Sequence, residues 1–193
     1  MASLPPLSDV LSSPGTQDSP LASALSTLFE PSPILLNTLV PQLSAQTLSF
    51  DTYFSLIDVA MSAISSWEPH AKALFISGHP RIGEVTNLSH LSRQEQAAKA
   101  TPPDVLERLA ELNALYEQQY PGLRYITFVN GRSRAAIRDE MEAKLGTQHR
   151  DDVAGQDVVS FQVEGLEWLK ELERAIGDIG KIAKSRLGAL DVL

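Results

Sequence analysis

Residues 124–129 read RYITFV, from Arg124 to Val129. The run is β-branched and aromatic, so its backbone preference is extended. A strand needs a partner, and no second run of this kind occurs in the chain. The stretch therefore predicts a buried extended segment between helices, not an edge of a sheet, and the fold class follows as all-α. On its N-terminal side, Thr101-Pro-Pro-Asp104 caps a long helix. That helix carries Val105, Leu109, Leu112, Leu115 and Tyr116 on one side and ends near Gly122. On its C-terminal side, Ser133 opens a helix to Leu145 that Gly146 stops. Residues 147–156 read as a polar loop. Asp157 to about Leu187 is expected to be helical, with a break near Gly177 and Gly180.

The N-terminal half repeats the helical pattern. Residues 1–18 are rich in Ser and Pro and are expected to form a loose arm. Ser19-Pro20 opens a helix with Ser as N-cap and Pro in the first turn. Ser32-Pro33 repeats that device before Ile34, Leu35, Leu36 and Leu39, and Pro41 is expected to interrupt the result. Phe50, Phe54, Ile57, Met61 and Ile64 fall at helical spacing. Ala71 to Ile76 forms a short further helix. The expected architecture is one compact domain over residues 19–193, a bundle of roughly eight helices.

Composition narrows the function. The 193 residues carry a formal net charge of −8, which disfavours a nucleic-acid partner. There is no cysteine, so disulfides, thiolate catalysis and zinc–thiolate sites are excluded. No apolar run approaches the roughly 20 residues of a membrane span. The first basic residue is Lys72, so neither a secretory signal nor an arginine-rich presequence is expected. The ending Asp191-Val192-Leu193 is not a peroxisomal signal, and Ser185-Arg186-Leu187 is internal. The expected compartment is the cytoplasm or the peroxisome.

Four stretches carry candidate chemistry. His79-Pro80 follows an apolar run, and proline forces the residue before it out of the helical region. His79 is then either a helix stop or a working histidine, the one side chain whose ordinary pKa lies near neutrality. Ser92-Arg93-Gln94-Glu95 fits a capping box, which explains Ser92 and Glu95 fully. Yet Glu95 beside Gln96 would also suit a flat ligand with alternating N–H and C=O groups. Arg132 and Arg134 flank Ser133, and solvated charges are the default there. Lys181, Lys184 and Arg186 form the densest basic cluster. They complement a helix C-terminus, or one of them holds a substrate carboxylate. His70, His79, His90 and His149 share no metal-ligand spacing, and neither a Gly-rich phosphate loop nor a Gly-x-Ser-x-Gly elbow is present.

Taken in order, these features resemble one family. They are His79-Pro80, Ser92-x-x-Glu95-Gln96, Leu112-Asn113-x-x-Tyr116, Tyr125-Ile126-Thr127-Phe128-Val129 and Ile182-x-x-x-Arg186-Leu187. The family is 2-oxo-4-hydroxy-4-carboxy-5-ureidoimidazoline (OHCU) decarboxylase, of urate degradation, and the resemblance runs from about Ser32 to Leu187. It implies an all-α, often dimeric enzyme that makes (S)-allantoin from a small-molecule substrate and needs no cofactor and no metal. It makes His79 the proton donor, with Glu95 and Arg186 as catalytic partners. Pro80, Ser92, Arg93, Gln94, Glu95 and Gln96 then bind substrate, and Tyr125 to Val129 meets it through backbone groups. The chemistry suits these types: a carboxylate near the histidine keeps it protonated, and an arginine docks an anionic or carbonyl group. The competing readings are a non-catalytic helical interaction module on the same fold, and a hydrolase for which no nucleophile is evident.

Overall fold

The computed structural model describes residues 3–46, 50–84, 101–147 and 159–190. Within these there are eight α-helices and no strand. The helices are α1 (Leu7–Leu11), α2 (Pro20–Phe29), α3 (Val40–Ser44), α4 (Tyr53–Ser65), α5 (Pro69–Ser77), α6 (Pro103–Gln119), α7 (Arg134–Leu145) and α8 (Leu166–Ala189). The all-α expectation holds, and Arg124 to Val129 is the reason it does. The segment has no ladder partner among the described residues, and Tyr125, Ile126 and Thr127 are buried. Helices take the place of a sheet around it. The Tyr125 hydroxyl donates to Glu140 of α7 at 2.6 Å. The Phe128 amide reaches Asp178 of α8 at 3.4 Å, and the Arg174 guanidinium of α8 lies 5.4 Å from the Tyr125 ring centroid.

Local signals place the helix ends. Ser19 accepts from the Ala22 amide at 3.2 Å and Ser133 from the Ala136 amide at 3.2 Å. Gly146 closes α7 at φ 70°, the left-handed conformation that a residue with a Cβ adopts at a cost. Helix α6 begins differently from expectation. Its N-cap is Pro102, with no side-chain cap; Thr101 lies outside, and Asp104 is an acidic residue of the first turn.

Three further expectations are corrected. Residues 3–18 do not hang loose: Val10 of α1 is fully buried, and the Tyr53 hydroxyl donates to the Pro5 carbonyl. Pro41 does not end its helix, because Leu35–Leu39 form a π turn immediately before α3. The wider winding relieves the clash that a proline ring makes with the carbonyl one turn back. Helix α8 starts at Leu166 rather than Asp157 and runs through Gly177 and Gly180 unbroken. Burial outweighs glycine's poor propensity there, since the apolar face of α8 forms the centre of the core against α2, α4 and α5. A Cβ at Gly180 would stand 3.3 Å from Met61 Cε of α4, so the two helices meet closely at that point. Of the expected stripe, Ile57 and Ile64 of α4 and Phe50 ahead of it are buried, while Phe54 is exposed.

Candidate active site

His79 sits just beyond α5, where the helix runs out. Gly78 is the C-cap, and the His79 amide still donates to the Ile76 carbonyl at 3.0 Å. The imidazole turns inward and is 4% exposed. Its ring packs edge-on against Phe75, with centroids 5.4 Å apart, and Phe75 in turn meets Phe29 of α2 and Trp67. Nδ1 lies 3.2 Å from the Phe75 carbonyl oxygen. A carbonyl only accepts, so Nδ1 carries the hydrogen, and in the neutral ring Nε2 holds the lone pair. Nε2 is buried and has no hydrogen-bond partner among the described residues.

Two opposite charges face this ring. Arg186 of α8 is 3% exposed, and its Nη2 donates to Glu30 Oε1 at 2.6 Å while Nη1 donates to the Leu28 carbonyl at 3.2 Å. Burial and the Arg186 charge push the His79 pKa down to about 4; the Phe75 hydrogen bond and Glu30 pull the other way, and Arg124 adds to the depression. His79 is therefore neutral at pH 7, which corrects the expectation of a ring titrating near neutrality. The basic cluster of the last helix does not converge. Lys181 pairs with Asp178 and Lys184 with Asp58, both at the surface, and only Arg186 points inward.

The loop after His79 is held by α6. The half-buried Pro80 is followed by Arg81, whose guanidinium grips Glu117 at 2.6 and 2.9 Å. Asn113 donates to the Ile82 carbonyl at 3.0 Å and to the Leu109 carbonyl at 2.8 Å. Gly83 has φ +83° and lies on Leu109, where a Cβ would come within 3.1 Å. Arg124, which heads the extended segment, donates from Nη1 to the His79 carbonyl at 2.5 Å. The segment Tyr125, Ile126, Thr127, Phe128 and Val129 is thus tied to the histidine loop through its first neighbour. Tyr116 serves elsewhere: its hydroxyl donates to the buried Glu171 at 2.7 Å, beside Lys144 and Arg174. Burial alone would raise the Glu171 pKa, but its hydrogen bonds to Arg174, Lys144 and Tyr116 prevail and lower it. Arg132 joins Glu140 and Thr127, and Arg134 donates to Thr101.

The structure brings together His79, Pro80 and Arg186. The Ser92, Arg93, Gln94, Glu95 and Gln96 stretch lies outside the described residues. Two residues of the site were missed in the sequence. Glu30 stands in Phe29-Glu30-Pro31-Ser32, and its signal was an acid wedged between an apolar helix and a Ser-Pro cap. Arg124 was visible only as the one charge at the head of an apolar run.

Comparison with known proteins gives a consistent picture. The family model described as OHCU decarboxylase matches residues 16–156. A crystal structure of OHCU decarboxylase in the presence of (S)-allantoin is similar at 21% identity and TM-score 0.54, over 79% of this chain and 89% of that one. A crystal structure of (S)-allantoin synthase is similar at 20% identity and TM-score 0.58, over 95% of this chain and 53% of that one. At these identities the two structures speak for the fold. A comparison with curated proteins found no match.

Proposed function

The chain belongs to the OHCU decarboxylase family, and from that premise we propose that it decarboxylates OHCU to (S)-allantoin in urate breakdown, without a cofactor. The observation that carries this reading is the buried His79, with Nδ1 engaged by Phe75 and Nε2, beside Arg186, without a hydrogen-bond partner among the described residues.

The substrate supplies its own electron sink. Its carboxylate is on a ring carbon next to a C=N bond. When CO2 leaves, the bonding pair moves into the ring and on to the imine nitrogen, which takes a proton. A second proton adds to the former imine carbon, while the neighbouring hydroxyl gives one up and becomes a carbonyl. One proton is consumed overall for each carboxylate anion lost. The protein must orient the carboxylate, stabilise charge on the ring and deliver a proton to one face.

His79 Nε2 is the atom for the last task. It is neutral in the free protein, and an anion arriving beside it raises its proton affinity. The proton it then holds goes to one face of the ring, which sets the hand of the product. Pro80 stiffens the chain beside it. Arg186 faces the anionic or carbonyl end of the substrate. Ser92, Arg93, Gln94, Glu95 and Gln96 bind ring and ureido groups, and Tyr125 to Val129 offers backbone donors and acceptors. The reading includes a homodimer working in the cytoplasm or peroxisome.

The test is to generate OHCU in a cuvette with urate oxidase and hydroxyisourate hydrolase, add this protein, and follow absorbance and circular dichroism. Accelerated loss with a one-handed allantoin signal is expected, together with its disappearance in a folded His79→Ala variant. Decay at the spontaneous rate from a folded sample, with no optical activity, would refute the decarboxylase reading and leave the interaction module.

A further inference from the structure

Helix α2 ends in an unusual way. Its C-cap is Glu30, at φ 71° and ψ 137°. That conformation is close to glycine-only territory, and glycine is the common choice at a helix C-terminus. A glutamate there is held against its own backbone preference. Its carboxylate also gains nothing from solvent, because Glu30 is 5% exposed. Two costs, strain and desolvation, meet on one residue. What they secure is one arrangement: Glu30 Oε1 2.6 Å from Arg186 Nη2, with the Leu28 carbonyl on Nη1 of the same guanidinium. Arg186 is thereby fixed from the end of α2, and Ser32, two residues on, lies against Gly78 next to the histidine.

We propose that Glu30 is a positioning residue for the reaction. It clamps the Arg186 guanidinium in one orientation facing His79, and it balances the positive charge that Arg186 would otherwise impose on the imidazole. The proposal rests on the decarboxylase reading of the site. The groups facing His79 are the Phe75 carbonyl from α5, Glu30 from the end of α2, Arg186 from α8 and Arg124 from the extended segment. Glu30 is the only carboxylate in that set among the described residues. It favours the protonated ring, while Arg186 and Arg124 oppose it. Without Glu30, the ring would take up its proton less readily when substrate arrives, and the arginine would lose its fixed direction.

The experiment measures OHCU turnover against pH, and the protonation of 15N-labelled His79 by NMR at pH 4.5, in the wild type, Glu30→Gln and Glu30→Asp. Expected are a kcat at least tenfold lower in Glu30→Gln and a smaller protonated fraction of His79. Glu30→Asp, which keeps the charge, should recover part of both. A folded Glu30→Gln with unchanged His79 protonation, or with wild-type turnover, overturns the proposal. If Glu30→Gln does not fold, Glu30→Asp serves alone: the shorter side chain keeps the charge but cannot hold Arg186 in the same place, so kcat should fall at least threefold, and wild-type turnover overturns the proposal. A wild type inactive on OHCU refutes the decarboxylase reading whatever Glu30 does, so the two failures are distinct.

Discussion

The burial of His79 can be weighed by its effect on acid stability. The ring has an ordinary pKa of 6.5 and is held at about 4 in the folded protein, chiefly by burial and then by Arg186. Above pH 6.5 both folded and unfolded chains carry it neutral, and it contributes no pH dependence. Below 6.5 the unfolded chain binds a proton that the folded one refuses, so stability falls as pH falls. The slope is about 1.4 kcal/mol per pH unit until the folded ring titrates near pH 4. Across that window the loss is about 3 kcal/mol. Urea denaturation of the wild type and His79→Gln from pH 7.5 to 4.5 isolates the effect, because every other titrating group cancels in the difference. The wild type should lose stability relative to the variant by about 2 kcal/mol between pH 6.5 and pH 5. A difference that stays constant across the range would show that His79 takes up its proton equally in both states, and the neutral buried ring would be refuted.

Arg124→Leu removes the hydrogen bond to the His79 carbonyl and should lower OHCU turnover about tenfold while costing about 1.5–3 kcal/mol of stability, read by urea midpoint; unchanged turnover would make Arg124 a bystander. Gly177 is exposed in the middle of α8, and a Cβ added there would meet nothing within 4 Å. Gly177→Ala should therefore stabilise by about 0.5–1 kcal/mol and raise Tm by a few degrees in a thermal scan, and a lower Tm would contradict a continuous α8.

Much of the fold was legible because the chain marks its helix ends with residues whose chemistry is local. Ser19 and Ser133 cap as their hydroxyls suggest, and Gly146 stops α7 for want of a Cβ. Arg124 to Val129 was legible by elimination, since one extended run without a partner cannot make a sheet. The continuity of α8 was hidden because glycine propensity is local, whereas the contact of Gly180 with Met61 belongs to the tertiary structure. His79 was visible as a candidate, but its neutral state was not. That state depends on Phe75, Arg186, Glu30 and Arg124 arriving from four separate elements. Glu30 itself was hidden for a related reason: nothing in Phe29-Glu30-Pro31-Ser32 announces a left-handed glutamate paired with a residue 156 positions away.

The π turn at Leu35–Leu39 bears on the site as well as on Pro41. A π turn holds one residue more than an α turn, so it acts as a phase shift within the chain. Winding the same residues as a plain α-helix, with none removed, would turn everything upstream by about 100° relative to α3. Ser32 would swing off Gly78, and Glu30 would leave Arg186. The wider winding of this one turn therefore indexes the acid to the arginine, and a relative one residue shorter here would keep the same pairing with a plain α turn.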